Sequence, residues 1–276
     1  MKYQPKLQFE DKYNIKDKTI PEIERLIKEV EIDRDLIDAL YADKRKTTSK
    51  IAVRCKKIYK ENKKLKDKIK EYKNIENQIY NKGFDNIYGF YVTGLPAAAG
   101  PLTFCSLKLN RFTEIKGIDY IKDLTEKRKK ELYNKIKDEV EYMDIFHIEA
   151  EVIDRIGLRS SIIKGYKKLK ENIKEKEDID KQDDYFIYYR YGLDDENSKV
   201  IKTTNKKVYL LACASILAKT HREDKMIKLA DKYNGYGFEK NYGYVTKKHR
   251  QAVQKRGFCK IHRKSYDFEK KLKLEF

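Results

Sequence analysis

The sequence predicts a mixed α/β domain, a five-stranded sheet with helices on its faces, preceded by a helical N-terminal extension and followed by a basic C-terminal segment. Three observations lead there. Residues 208–218 are apolar or small without interruption in a chain of 276 residues of which 39% are charged, so the stretch has to be buried. It is far shorter than the ~20 residues a membrane span needs, and it reads as the central helix of a globular domain. Residues 87–93 (IYGFYVT) and 102–109 (LTFCSLKL) are rich in β-formers and flank the turn GLPAAAGP, the pattern of a hairpin. After the hairpin, strand-like and helix-like segments alternate, and that order builds a mixed sheet covered by helices.

Taken in order, residues 1–82 read as a basic helical extension. Thr19 and Glu22 form a capping box with Pro21 in the first turn, and Ile23, Leu26, Ile27 and Val30 share one face, so a helix is expected over 19–41. Ile51, Cys55, Ile58, Asn62, Leu65, Ile69, Tyr72, Glu76 and Ile79 then recur alternately by four and three, the spacing of a helix lying along another helix. The other faces are mostly Lys. Such an arm could lie on a duplex or dimerise, or fold as a hairpin on itself or on the main domain; Asn62 and Glu76 interrupt the seam and favour the hairpin.

Residues 83–230 read as the α/β core. After the hairpin, Thr125 caps a charged helix with Leu132, Tyr133 and Ile136 facing inward. A strand is expected over 145–152 and a helix over 153–173. The polar run KEKEDIDKQDD is an exposed loop, 185–191 (YFIYYRY) a strand, and 199–203 a short one before the central helix. That helix enters at 205–207 and leaves into THRED, with Glu223 and Asp224 at its polar end. Residues 231–276 mix tyrosines with Lys, Arg and His, which suits phosphate neutralisation and base stacking.

A net charge of +19 points to a polyanionic partner, nucleic acid before an anionic membrane; a Lys-rich composition throughout is the plainer explanation. Cys55, Cys105, Cys213 and Cys259 include no CxxC pair, which argues against a zinc cluster or a disulfide framework and suits a reducing cytoplasm. The N-terminus lacks the apolar core of a signal peptide, and no membrane span follows it.

ASILAKTHRE, then M, YGYGF, GYVTKKH and HRKSY occur in an order that, with YADKRK, YNKGF, DLTEKRKKELY and EAEVIDRIGL, resembles bacterial ribonuclease HII over essentially the whole chain. The resemblance is to the branch with an N-terminal helical extension. It implies a ribonuclease H-like fold that binds RNA/DNA hybrids and duplex DNA with embedded ribonucleotides. It further implies cleavage 5′ to a ribonucleotide with Mg²⁺ or Mn²⁺ held by four carboxylates, since hard dications prefer anionic oxygen ligands.

Most of those carboxylates are replaced. Where the family reads DEAGRGPLAGP, this chain, anchored on Gly100 and Pro101, reads YVTGLPAAAGP. The paired acids become Tyr91 and Val92, and the Gly-Arg-Gly that meets the ribose 2′-hydroxyl becomes Gly94, Leu95 and Pro96. Pro96 also removes a backbone N–H. The third acid, which precedes a Gly, falls on Tyr191 beside Gly192; the fourth is kept as Glu223. Tyr120 stands for another family Asp, and Thr204 and Asn205 for a Gly-Asp pair. Glu223 is thus the one acidic catalytic position and the one metal ligand, if any. By the same resemblance Gly94, Leu95, Pro96, Lys219, Arg222, Tyr244, His249, His262 and Arg263 are expected to contact nucleic acid. The expectation is a cytoplasmic nucleic-acid-binding homologue that has lost cleavage and needs no cofactor. The alternative is an active endonuclease with a rebuilt Mn or Mg site.

Overall fold

The computed structural model describes residues 12–119, 124–177, 183–193, 196–201 and 207–266, and it divides into two compact units, Met1–Lys70 and Glu71–Phe276. Tyr120, Thr204 and Asn205 lie outside the described residues.

In the first unit the capping box forms as the residues dictate: the Thr19 N–H and hydroxyl both donate to Glu22 Oε2 at 2.7 Å, opening α1 (Ile20–Glu29). The helix expected over 19–41 is two helices, because Asp33 accepts the Leu36 N–H at 2.8 Å and caps a second one, α2 (Arg34–Ala42). In α3 (Lys46–Tyr72) the seam residues Ile51 and Cys55 are buried in one cluster with Ile23, Leu36 and Leu40. The first half of the seam is therefore consumed inside its own unit.

The boundary falls after Lys70 rather than after residue 82 because the following side chains anchor in the second unit. The Tyr72 hydroxyl donates to Asp119 at 2.8 Å, and Lys73 Nζ donates to the carbonyls of Arg111 and Thr113 at 2.6 and 3.0 Å. From α4 (Asn74–Tyr80), buried Glu76 accepts the N–H of Leu210 at 2.8 Å.

The second unit is built on β1 (Asn86–Thr93), β2 (Leu102–Leu109), β3 (Val140–Ile148), β4 (Asp184–Tyr189) and β5 (Ser198–Ile201), in the sheet order β3-β2-β1-β4-β5. Central β1 is antiparallel to β2 and parallel to β4. Two sequence expectations shift. α5 (Glu126–Glu139) passes into β3 without a turn, so that strand starts at Val140 and not at 145. Gly157, at φ +80°, splits the helix expected over 153–173 into α6 (Ala150–Ile156) and α7 (Leu158–Lys176).

The apolar stretch forms α8 (Tyr209–Lys232). It lies so close to the sheet that a Cβ added to Gly89 would sit 3.0 Å from the Leu210 Cβ. The helix runs past THRED because Met226, two residues further on than Asp224, is fully buried with Ala99, Tyr236, Phe238 and Ile261. α9 (Phe238–Asn241) and α10 (Lys247–Arg256) complete that cluster. All four cysteines are free thiols, and among the described residues no helix is long and apolar enough to cross a membrane.

Candidate functional site

Parallel pairing of β1 with β4 puts Phe90 opposite Tyr188, which sets Tyr91 beside Tyr189 at the carboxyl ends of both strands. Their rings stack, with centroids 4.5 Å apart and planes at 19°. Tyr191, the residue before Gly192, lies two residues beyond the strand with 37% of its surface exposed, and the ring that meets Tyr91 is that of Tyr189. Val92 is buried and, as the neighbour of Tyr91 on a strand, points to the other face of the sheet. Tyr166 of α7 donates its hydroxyl to the Tyr189 carbonyl at 2.7 Å and closes the underside. Burial pushes the Tyr91 phenol well above its ordinary range, so it stays protonated. Arg190 leaves the strand at φ +70° and donates its Nε–H to the Tyr189 hydroxyl at 3.2 Å.

The retained acid stands on α8. Glu223 forms an ion pair with Lys129 of α5, whose ammonium also reaches Glu126 at 2.8 Å. Burial alone would lower the Lys129 pKa, but its hydrogen bonds to Glu126 and Glu223 outweigh that and raise it, so the ammonium is a fixed counter-ion. Lys219, one turn back, is half-buried and its pKa is lowered by burial. A cavity of about 480 Å³ opens between α5 and α8, lined among others by Glu126, Lys129, Tyr133, Glu223, Asp224 and Tyr242. Among the described residues no three His, Cys, Asp or Glu side chains are grouped to hold a metal ion. Two phenols and a valine supply no anionic oxygen, and Glu223 already carries an ammonium, so the residues present do not fit a pair of divalent ions.

The loop at 94–101 is held from three sides by groups that match the family motifs. Arg222, 1% exposed, donates to the carbonyls of Pro101, Tyr242 and Ala99 at 3.0, 2.8 and 3.1 Å. Arg263 donates to Gly100 and Leu95 at 3.1 and 3.3 Å. The N–H groups of Ala98 and Ala99 both donate to Gly243 O, at 2.9 and 3.1 Å. Gly94 and Gly243 are at φ +84° and +81°, and a Cβ there would collide with Arg222 and with the Ala99 carbonyl. Behind the loop, His249 donates from Nδ1 to Tyr244 O at 2.9 Å, and its Nε2 lies 3.1 Å from His262 Nε2. His262 Nδ1 accepts the Cys259 N–H at 2.9 Å. Tautomers then run one way: His262 donates from Nε2 to His249, and both rings are neutral. Burial lowers both pKa values, that of His262 to about 4.

Four of the residues expected to contact nucleic acid are buried. Arg222, His249, His262 and Arg263 are all at most 3% exposed: the two arginines donate to carbonyls of this loop, while His249 donates to Tyr244 O and meets His262 behind it. Leu95, Lys219 and Tyr244 are partly exposed, Pro96 is exposed, and Gly94 is buried as the loop's hinge. Sequence reasoning missed Tyr189, Lys129 and Arg190; the pairing register of β1 with β4 reveals the first and third, and the inward face of α5 the second.

Two family models match the chain, Ribonuclease HII over residues 93–269 and Ribonuclease HII N-terminal domain over residues 19–80. Ribonuclease HII of Clostridioides difficile is 30% identical over 254 residues, covering 91% of this chain and 98% of the relative. That of Caldicellulosiruptor bescii is 34% identical over 195 residues, covering 71% of this chain and 93% of the relative. In fold the chain is similar to ribonuclease H2 of Pyrococcus horikoshii, with a TM-score of 0.52 at 16% identity over 68% of this chain and 97% of that one. It is similarly close to a chain in the PCNA:RNase HII complex of Archaeoglobus fulgidus, with a TM-score of 0.51 at 19% identity, covering 66% and 95%.

Proposed function

The chain belongs to the ribonuclease HII family, and we propose that it binds RNA/DNA hybrids, and duplex DNA with embedded ribonucleotides, without cutting them. The observation that carries this reading is the buried Tyr91 ring, stacked on Tyr189 and followed by buried Val92, where the family resemblance calls for a pair of acids. Hydrolysis by two ions needs one to generate hydroxide and another to take charge from the leaving oxygen, and both need anionic ligands. Neutral phenols cannot gather them, and the Lys129 ammonium competes at Glu223. The loop that would meet the duplex is meanwhile fully braced, which supports binding as the retained half of the activity. Free thiols suit a reducing cytoplasm as its place of work.

A working endonuclease with a rebuilt Mn²⁺ or Mg²⁺ site is the second reading, and it rests on Glu126, Glu223 and Asp224 lining one cavity. The experiment is cleavage of a duplex with a single ribonucleotide in Mn²⁺ and in Mg²⁺, beside Glu223→Ala. The binding reading expects no product from either protein, and an affinity for the uncut duplex that falls steeply with salt as counterions are released. Cutting by the wild type that Glu223→Ala abolishes would establish the second reading.

A further inference from the structure

Exchanging a carboxylate for a phenol reverses what a strand end attracts. A carboxylate only accepts hydrogen bonds and gathers cations, whereas a phenol and a guanidinium donate them and suit an anion. We propose that the carboxyl ends of β1 and β4 form a metal-independent phosphate site centred on Arg190, with the backbone phosphodiester of a nucleic acid as its ligand. The inference rests on the binding reading above and names the group that grips the chain where metal ions would have done so.

Three features of Arg190 carry it. Its backbone sits at φ +70°, a conformation that costs an L-residue energy and that only Asn14 and Tyr242 share with it among the described non-glycine residues. It is fixed there by its N–H, which donates to Ile201 O at 2.8 Å, and by the Nε–H bond to the Tyr189 hydroxyl. That bond uses one edge of the guanidinium. The Nη groups have no hydrogen-bonding partner among the described residues, and the side chain is exposed.

The surroundings contain the right sign of charge. Among the described residues, the titratable groups named as acting on Arg190 are the phenols of Tyr189, Tyr91 and Tyr191, with no carboxylate among them. A fork of N–H donors, paired with no acid among the described residues and steadied by a stacked pair of phenols, matches the planar two-point geometry that arginine uses on phosphates. Its place also fits, since ligands of open α/β sheets bind outside the carboxyl ends of parallel strands. The braced loop at 94–101 continues directly from β1.

Arg190→Gly is the informative variant. Glycine takes φ > 0 without strain, so the substitution removes the guanidinium while leaving the strand end at least as stable. Binding of an RNA/DNA hybrid and of plain duplex DNA is measured by fluorescence anisotropy across a salt series, in EDTA and in Mg²⁺, for the wild type, Arg190→Gly and Arg190→Lys. Wild-type affinity is expected to be the same in EDTA and in Mg²⁺. Arg190→Gly is expected to bind about tenfold more weakly, with the salt slope reduced by about 1, and Arg190→Lys to keep the slope while losing part of the affinity. Equal binding and equal slope in Arg190→Gly, or wild-type binding that requires Mg²⁺, would overturn the proposal. A parallel titration with inorganic phosphate, read on the arginine Nε–H signals by NMR, separates the two readings. A phosphate-dependent signal that Arg190→Gly removes, in a protein that binds no duplex, keeps the site and refutes the nucleic-acid function; no such signal and no duplex binding refutes both.

Discussion

Two regions a few residues apart have had opposite histories. At the strand ends, Tyr91 and Val92 stand where the resemblance places a pair of acids and the Tyr91 ring stacks on Tyr189, while the loop that follows is held by the residues the family motifs lead one to expect: Gly94, Gly100, Pro101, Arg222, Gly243, His249, His262 and Arg263. The difference follows from how each side chain is supported. A strand-end side chain stands at the rim of the sheet and can be exchanged for another that fills the space, and here two rings stack in it. Each member of the loop clamp satisfies a carbonyl or an N–H of another segment, so no single one can change without orphaning its partner.

The largest effect is expected in the clamp. Arg222→Met keeps the stem but withdraws the donors from three buried carbonyls, those of Ala99, Pro101 and Tyr242. Relief of a buried charge offsets part of that loss, leaving roughly 3 kcal/mol of destabilisation, or about 10 °C in Tm. Calorimetry checks it. A loss under about 1 kcal/mol would mean that the clamp is not interdependent, and the contrast between the regions would fail.

The second effect is pH-dependent. His262 titrates at about 4 when folded against 6.5 ordinarily, because burial disfavours its charged form and His249 faces it. A base with a lowered folded pKa leaves the unfolded chain with more protons at acid pH. Its contribution is therefore complete above about 6.5 and is lost as pH falls toward 4, by roughly 3 kcal/mol. His147, hydrogen-bonded to Thr103 on the sheet, is also lowered to about 4 by burial and adds to the same window. Denaturation from pH 7 to 4 in His262→Gln and in His147→Gln apportions the slope between clamp and sheet. The larger flattening is expected from His262→Gln, which also disconnects His249.

How much of this could be read from the chain depends on whether the cause is local. The hairpin strands lie where their β-formers and the GLPAAAGP turn put them, and the capping box at Thr19 and the uninterrupted run of α8 are equally local signals. The run YFIYYRY is β-forming to its end, and only pairing with β1, nearly a hundred residues earlier in the chain, decides that the strand stops at Tyr189 and sets that ring against Tyr91. The start of β3 is hidden in the sequence because no Gly or Pro separates it from α5. His249 and His262 look like surface residues in a basic segment; that their rings meet at 3.1 Å is a tertiary fact. Lys129 is one lysine among many, distinguished only by the face of α5 it occupies.

The smallest effect is expected at the strand end, and it is the sharpest test of the contrast. Tyr91→Phe removes one hydroxyl and keeps the ring that stacks on Tyr189, whose own hydroxyl still receives the Arg190 Nε–H. Since the lost group is a single hydroxyl beside another phenol, the cost should stay below about 1 kcal/mol, within about 3 °C in Tm. If instead Tyr91→Phe costs as much as Arg222→Met, the phenols form a network as obligatory as the clamp. The strand end would then have been rebuilt as a unit, with its hydroxyls selected together, and not merely filled. Combining Tyr91→Phe with Arg190→Gly in a double-mutant cycle distinguishes these cases, because independent filling predicts additive effects on stability and a rebuilt unit predicts a coupling of at least roughly 0.5 kcal/mol.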